Sequence, residues 1–284
     1  MGEILNLSFE EQEELAEEYD QKKIDYENSL AVALMSFFNR ISFDFGNIYA
    51  STGEILDVEE YQKDLEIILF NSYTETSEFF SRHFDINLRR QLQSSNTEEE
   101  IQRTALLLAL LNAVRPLTEK NIAEFIAQEV PKQAGYIIET TENVLSKSLE
   151  KAIEQIEALD DLEVTDNAVG KVAGQLSREE NLNRVGTIKE TEVANSSGSS
   201  MQIESNDFQK AINDSDDLFL KIIKQWITRL DSSVRPAHIE AHGQARDSGE
   251  LYNVGSEKLL YPTDTSHGAS LGNTINCRCQ SINT

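Results

Sequence analysis

The sequence predicts a mainly α-helical chain, an N-terminal helical bundle or set of extended helices, followed by a small, loop-rich α+β module at the C-terminus. Three observations predict it. Apolar residues recur at three- and four-residue steps through residues 1–180. Helix-start signatures stand in front of several of these stripes. Past residue 200 the texture changes, and Gly243, Gly249, Gly255, Gly268 and Gly272 punctuate a stretch in which elements should be short.

Taken in order, Ser8 and Glu11 have the form of a capping box, in which each side chain reaches the other's backbone N–H. Behind them Leu15, Tyr19, Tyr26, Leu30, Leu34, Phe37 and Ile41 make one apolar stripe on a long helix. Asp57 with Glu60 is read as the cap of a second helix carrying Tyr61, Leu65, Ile68 and Leu69. Thr97 with Glu100 is another capping box, opening a helix over residues 105–114. Pro116 is expected to stop that helix, because the residue before a proline avoids the α region. A further helix is expected over residues 118–129, ending at Pro131. Ile138, Leu145, Leu149, Ile153, Ile156 and Leu159 supply the next stripe. A shorter helix over residues 164–176 follows, and Ser177 with Glu180 starts another that reaches about Ala194. These stripes read as bundle core, since no heptad pattern is sustained long enough for a coiled-coil seam.

Residues 195–200 (Asn-Ser-Ser-Gly-Ser-Ser) read as a flexible link or loop. Residues 218–230, β-branched and aromatic around Trp226, read as a strand. The expected division is therefore a helical region over residues 1–176 and a mixed module over 177–284.

Charge separates the same two parts. The chain of 284 residues has a formal net charge of −25. Residues 1–180 carry 37 acidic against 15 basic side chains, and residues 181–284 carry 13 against 10. So acidic a surface repels phosphate backbones, which argues against strong non-specific nucleic-acid binding. The acidic runs at 10–18 and 98–100 read as solvated helix faces. The longest apolar run, residues 105–111, is far shorter than the ~20 residues a membrane helix needs. The acidic opening residues lack the basic-then-apolar order of a signal peptide. Cys277 and Cys279, one residue apart, are poorly spaced for a disulfide. That fits a reducing compartment such as a bacterial cytoplasm.

The most informative stretch runs from residue 226 to 279. It reads Trp226, Asp231, Val234-Arg235, His238, Gly243, Gly255, Tyr261-Pro262-Thr263-Asp264, and finally Asn276-Cys277-Arg278-Cys279. This ordered set resembles the C-terminal module of the phage Mu F-like minor head proteins, the head-morphogenesis family. Upstream, residues 187–195 (Thr-Ile-Lys-Glu-Thr-Glu-Val-Ala-Asn) resemble that family's helix with its Arg-Thr-Glu and following Asn. Four positions depart from the family pattern. Lys189-Glu190 replaces arginine-threonine, Thr263 stands where glycine is common, and His242 stands where aspartate is more usual. The resemblance implies a non-enzymatic component of a tailed-phage virion. It would sit inside the head near the portal vertex in few copies and form in the bacterial host cytoplasm during assembly. The expected partner is the portal protein, with the major capsid protein of the inner shell as the alternative, and the symmetry of a portal ring makes several copies per particle natural. It also implies a part in head assembly and in DNA packaging or delivery.

The same residues carry chemistry of their own. His238 and His242 are four apart, a spacing that puts both imidazoles on one face of a helix, and Ser233 and Pro236 can start such a helix. With Cys277 and Cys279 they would complete a tetrahedral zinc set. The plainer reading packs Cys277 as a small apolar residue and gives His238 a hydrogen bond to a nearby chain. Asp231 and Arg235, also four apart, read either as an active-site ion pair or as a loop clamp with Arg278 nearby; the clamp is favoured. Trp226 reads as the anchor of a small core. The alternative function is a metal-dependent nuclease or toxin-like effector packaged in the virion, in which Asp231, His238 and Asp264 would form the hydrolytic set. No Walker loop, Gly-x-Ser-x-Gly or His-Glu-x-x-His occurs. His83, alone in the helical part, reads as a surface residue.

Overall fold

The computed structural model describes residues 2–5, 7–159, 163–215 and 218–284. A two-residue strand β1 (Gly2–Glu3) precedes the long helix α1 (Phe9–Thr52). A 3-10 turn (Glu59–Tyr61) leads into α2 (Gln62–Phe80), followed by α3 (His83–Ser94), α4 (Glu98–Glu157) and α5 (Asp166–Asn213). The C-terminal part is mixed: β2 (Leu220–Lys221), β3 (Ile223–Ile227), α6 (Pro236–Ala241), β4 (Ala245–Asp247), β5 (Tyr252–Val254), β6 (Glu257–Leu259), α7 (Leu271–Thr274) and β7 (Gln280–Asn283). The protein is thus mainly α with an α+β C-terminal part.

Two of the capping boxes expected at helix starts are present. The Ser8 N–H donates to Glu11 and the Glu11 N–H to the Ser8 hydroxyl. Thr97 and Glu100 make the same reciprocal pair ahead of α4. Asp57 acts two residues on instead, accepting the Glu59 N–H at the start of the 3-10 turn. Along α1, Leu15, Tyr19, Leu30, Leu34, Phe37 and Ile41 are all buried.

Five expectations are corrected. Pro116 and Pro131 both lie inside α4, which runs unbroken past them. A mid-helix proline costs about 3 kcal/mol through its lost N–H and its clash with the preceding turn. Leu107, Leu108, Leu111, Ile122, Ile126, Val130 and Ala134, buried along the same helix, offset that cost. Ser177 does not start a helix either. It lies within α5, buried, its hydroxyl bonded to the Gly174 carbonyl, so the expected helices over 164–176 and 177–194 are one. The position between residues 176 and 177 accordingly falls in mid-helix.

Residues 195–200, expected to be flexible, are helix in α5, buried but for the half-buried Gly198. The Ser197, Ser199 and Ser200 hydroxyls return to helix carbonyls three or four residues back, and Ser200 also donates to Ser77. The Ser196 hydroxyl donates to the Tyr73 carbonyl, and Asn195 to the Tyr73 hydroxyl, which in turn donates to Glu192. Small hydroxyl side chains therefore pair two helices closely here, and polarity marks a buried seam. Gly198 leaves room for the Tyr261 ring, since a Cβ would lie 2.8 Å from Tyr261 Cδ2. The expected single strand over 218–230 is two, β2 and β3.

The chain divides into two compact units that do not follow chain order: residues 1–26, 73–126 and 190–284 form one, and 27–72 with 127–189 form the other. In the second unit, Gly46 of α1 meets Gly170 and Gly174 of α5 at backbone distance; a Cβ on Gly170 would lie 2.5 Å from the Gly46 carbonyl oxygen. Arg40 pairs with Asp64, and Arg184 donates to Thr141 and to the Ile137 carbonyl.

In the first unit, β3 is the centre of an antiparallel sheet of order β4-β3-β7, with Trp226 opposite Ser281. The β5–β6 hairpin turns at Gly255, whose φ of 61° suits a residue without Cβ. β1 pairs in parallel with β2. One apolar cluster gathers Ile4, Leu5, Phe84, Leu88, Leu107, Phe208, Ile212 and Ile222, and a second joins Leu15 and Tyr19 of α1 to Phe80, Met201, Ile227 and Ile282.

Candidate functional site: a thiol–imidazole cluster in the C-terminal module

A third apolar cluster is built from Trp226, Ala241, Tyr252, Val254, Leu259, Cys277 and Cys279. Trp226 is fully buried, as expected of an anchor, with edge-on contacts to Tyr252 at 5.2 Å and to His238 at 5.6 Å. Pro236 takes the first turn of α6, where its missing N–H costs nothing, and delivers His238 into this core at 1 % exposure.

His238 Nδ1 lies 3.3 Å from Cys279 Sγ and 3.5 Å from Cys277 Sγ. The three ligand-type atoms lie within 4.8 Å of one another, all buried. A hydrogen bond from the Cys279 thiol to Cys277 holds the Cys277 thiol below its ordinary range and pushes that of Cys279 well above it. His242 is not part of this group. α6 ends at Ala241, and the backbone of His242 has already left the helix, with ψ at 132°. Its Nδ1 accepts the Thr228 N–H and its ring packs edge-on against Phe9. The one-face argument fails because the helix is shorter than the spacing assumed.

Asp231 and Arg235 do not pair with each other. Asp231 accepts from Arg278 at 2.7 Å and from the Ser233 N–H, and the arginine holds its carboxyl below the usual range. Arg235 donates to the Ile275 carbonyl. Asp264 is buried and organises a turn, accepting from the Leu260 N–H, the Ser266 N–H and hydroxyl, and His267. Burial pushes its carboxyl up, and these hydrogen bonds more than offset that, leaving it below its ordinary value. Gly243 has φ 78°, Thr263 φ 79° and Asn276 φ 58°. The Asn276 N–H donates to the Thr191 hydroxyl. The residues singled out in the sequence thus hold backbone at separate points of one small module.

Sequence reasoning missed Lys224. Its ammonium donates to the Leu260 carbonyl at 2.6 Å and to Gln202, and stands 5.0 Å from the Tyr252 ring centre. Burial pulls its pKa down to about 7. The signal was available: Lys224 and Trp226 are two apart on a strand and so share a face. Tyr252, whose hydroxyl bonds to Ser281, was missed too, because nothing local distinguishes it from a surface tyrosine. His83 is corrected from a surface residue to a fully buried one.

No known protein family, curated protein or solved structure matches the chain.

Proposed function

We propose that the chain is a minor head protein of a tailed bacteriophage, docking at the portal vertex or inner shell and assisting head assembly and DNA packaging or delivery. One observation carries the reading. Four positions of the ordered residue set that resembles the Mu F-like module, Gly243, Gly255, Thr263 and Asn276, are points where the backbone takes positive φ. Glycine and asparagine are the residues such backbone favours, and glycine is what the resembling pattern commonly has where Thr263 stands. The net charge of −25 supports the same reading, since an acidic surface keeps packaged DNA from adhering.

The alternative, a metal-dependent nuclease or toxin-like effector packaged in the virion, needs Asp231, His238 and Asp264 to address one substrate. Here their polar atoms engage three separate sets of partners. Quantitative mass spectrometry of purified particles, with and without their DNA and with the portal protein as internal standard, tests the proposal. A reproducible low copy number tied to the portal is expected. Absence of the protein from particles overturns it.

A further inference from the structure

From the geometry of His238, Cys277 and Cys279 we infer that the core of the C-terminal module is a binding site for one soft d10 cation, held by two thiolates and one imidazole nitrogen.

The distances argue first. A single ring nitrogen offers one lone pair, yet two sulfurs approach His238 Nδ1 at 3.3 and 3.5 Å. Either one thiol directs its proton along that lone pair, or one Nδ1–H is shared between two sulfurs, so a hydrogen bond serves one of the two approaches poorly. A shared cation accounts for both approaches. With bonds of about 2.3 Å to sulfur and 2.0–2.1 Å to nitrogen in tetrahedral geometry, the nitrogen–sulfur edge is about 3.5 Å.

The donor set argues second. It holds two sulfurs and an imidazole, and no carboxylate or further histidine joins it among the described residues. Hard cations such as magnesium and calcium want oxygen, whereas thiolate and imidazole select zinc and copper(I). The one-residue spacer brings both sulfurs to the same imidazole, and α6 carries that imidazole in from another part of the chain.

The surroundings argue third. Trp226, Tyr252, Val254 and Leu259 seal the cluster, and its three ligands are at most 3 % exposed. Two thiolates are neutral together with zinc(II) and carry one negative charge with copper(I), and an apolar core tolerates either far better than two bare thiolates. A closed site of this kind is structural: the ion cross-links α6 to the segment leading into β7. As it binds, the two S–H bonds are replaced by bonds to the metal, and up to two protons leave to solvent.

The test uses the full chain, purified under reducing conditions and stripped by a chelator. It is titrated separately with zinc(II) and with copper(I) under anaerobic conditions, and cobalt(II) serves as a spectroscopic probe. One equivalent of zinc or of copper(I) per chain is expected, with a thiolate-to-cobalt charge-transfer band and a higher thermal midpoint for the loaded protein. The arm that saturates at one equivalent identifies the ion. Cys277→Ser, Cys279→Ser and His238→Gln should each weaken binding at least tenfold, while His242→Ala leaves it unchanged. If a variant does not fold, the stoichiometry and charge-transfer band of the unmodified chain still decide. No stoichiometric uptake of either ion overturns the proposal, as does uptake that survives loss of both cysteines. Particle incorporation is a separate readout, so the site and the virion role can fail independently.

Discussion

His83 Nε2 donates to the backbone carbonyl of Asn283 at 2.5 Å, joining the first residue of α3 to β7 across a separation of 200 residues. The carbonyl can only accept, so the ring proton sits on Nε2 and leaves Nδ1 to face the Tyr19 hydroxyl at 2.9 Å. Burial pushes the His83 pKa down from 6.5 to about 4. The unfolded chain therefore binds a proton here before the folded one does. The stability contributed by the neutral ring is complete above pH 6.5 and is lost as pH falls towards about 4, a total of about 3 kcal/mol. Urea unfolding at several pH values should show that slope, and His83→Gln should flatten it. Equal slopes in the two proteins would remove His83 as its source.

Glu204 works in the opposite sense. It is fully buried and accepts the Phe84 N–H at the start of α3, and burial holds its pKa well above the ordinary value of 4.5. The folded state keeps a proton that the unfolded state gives up, so stability falls as pH rises from 4.5 towards the raised value. Glu204→Gln preserves an acceptor for Phe84 and removes the ionisation. It should stabilise the protein at pH 7. It also isolates the His83 slope, because the two windows overlap. A destabilised variant at pH 7 would contradict the argument.

What was legible in the sequence was mostly local. Ser8 with Glu11, Thr97 with Glu100 and the stripe from Leu15 to Ile41 depend on neighbours a few residues away, and they are found in place. The prolines of α4 and the serines of α5 misled for a shared reason. Their local preference is overridden by burial, of the apolar residues along α4 in one case and of the serines against Ser77, more than a hundred residues away, in the other. At the site, His238, Cys277 and Cys279 were readable as ligand types. His242 was misassigned because α6 ends one residue too early. Lys224 was overlooked because a lysine in a strand is ordinarily read as exposed.

Gly170 and Gly186 both lie within α5, and they should respond to alanine with opposite signs. A Cβ on Gly170 would meet Gly46 O at 2.5 Å and Ala50 N at 2.6 Å, both backbone atoms, whereas one on Gly186 meets nothing within 4 Å. Gly170→Ala should cost about 1–3 kcal/mol through overpacking. Gly186→Ala should gain about 0.5–1 kcal/mol from helix propensity. Thermal midpoints of the two variants, measured side by side, check this; a stabilised Gly170→Ala would mean that the two helices separate without cost.

Thr263 is a β-branched residue at φ 79°, where the resembling family commonly has glycine. A left-handed conformation costs a residue with a Cβ roughly 1–2 kcal/mol. Thr263→Gly should therefore raise stability by about 1 kcal/mol, less whatever the Thr263 hydroxyl contributes through its bond to the Pro262 carbonyl. Asn276 at φ 58° tolerates its position better, and Asn276→Gly should be close to neutral. A loss of stability in Thr263→Gly larger than the gain expected would show that the side chain is needed there.

The interleaving of the first unit has a consequence during synthesis. Tyr19, Phe80 and Ile282 belong to one apolar cluster, and Ala16 offers its carbonyl to Gln280. At about 5–20 residues per second, a ribosome leaves α1 waiting roughly 10–60 s for the strand that completes its packing. The nascent chain must stay unaggregated over that interval, and the acidic side chains of α1 provide the repulsion that favours it. Translation and closure are then coupled: a chain stalled before residue 280 leaves this cluster open, and synthesis past Ile282 is what lets α1 finish packing.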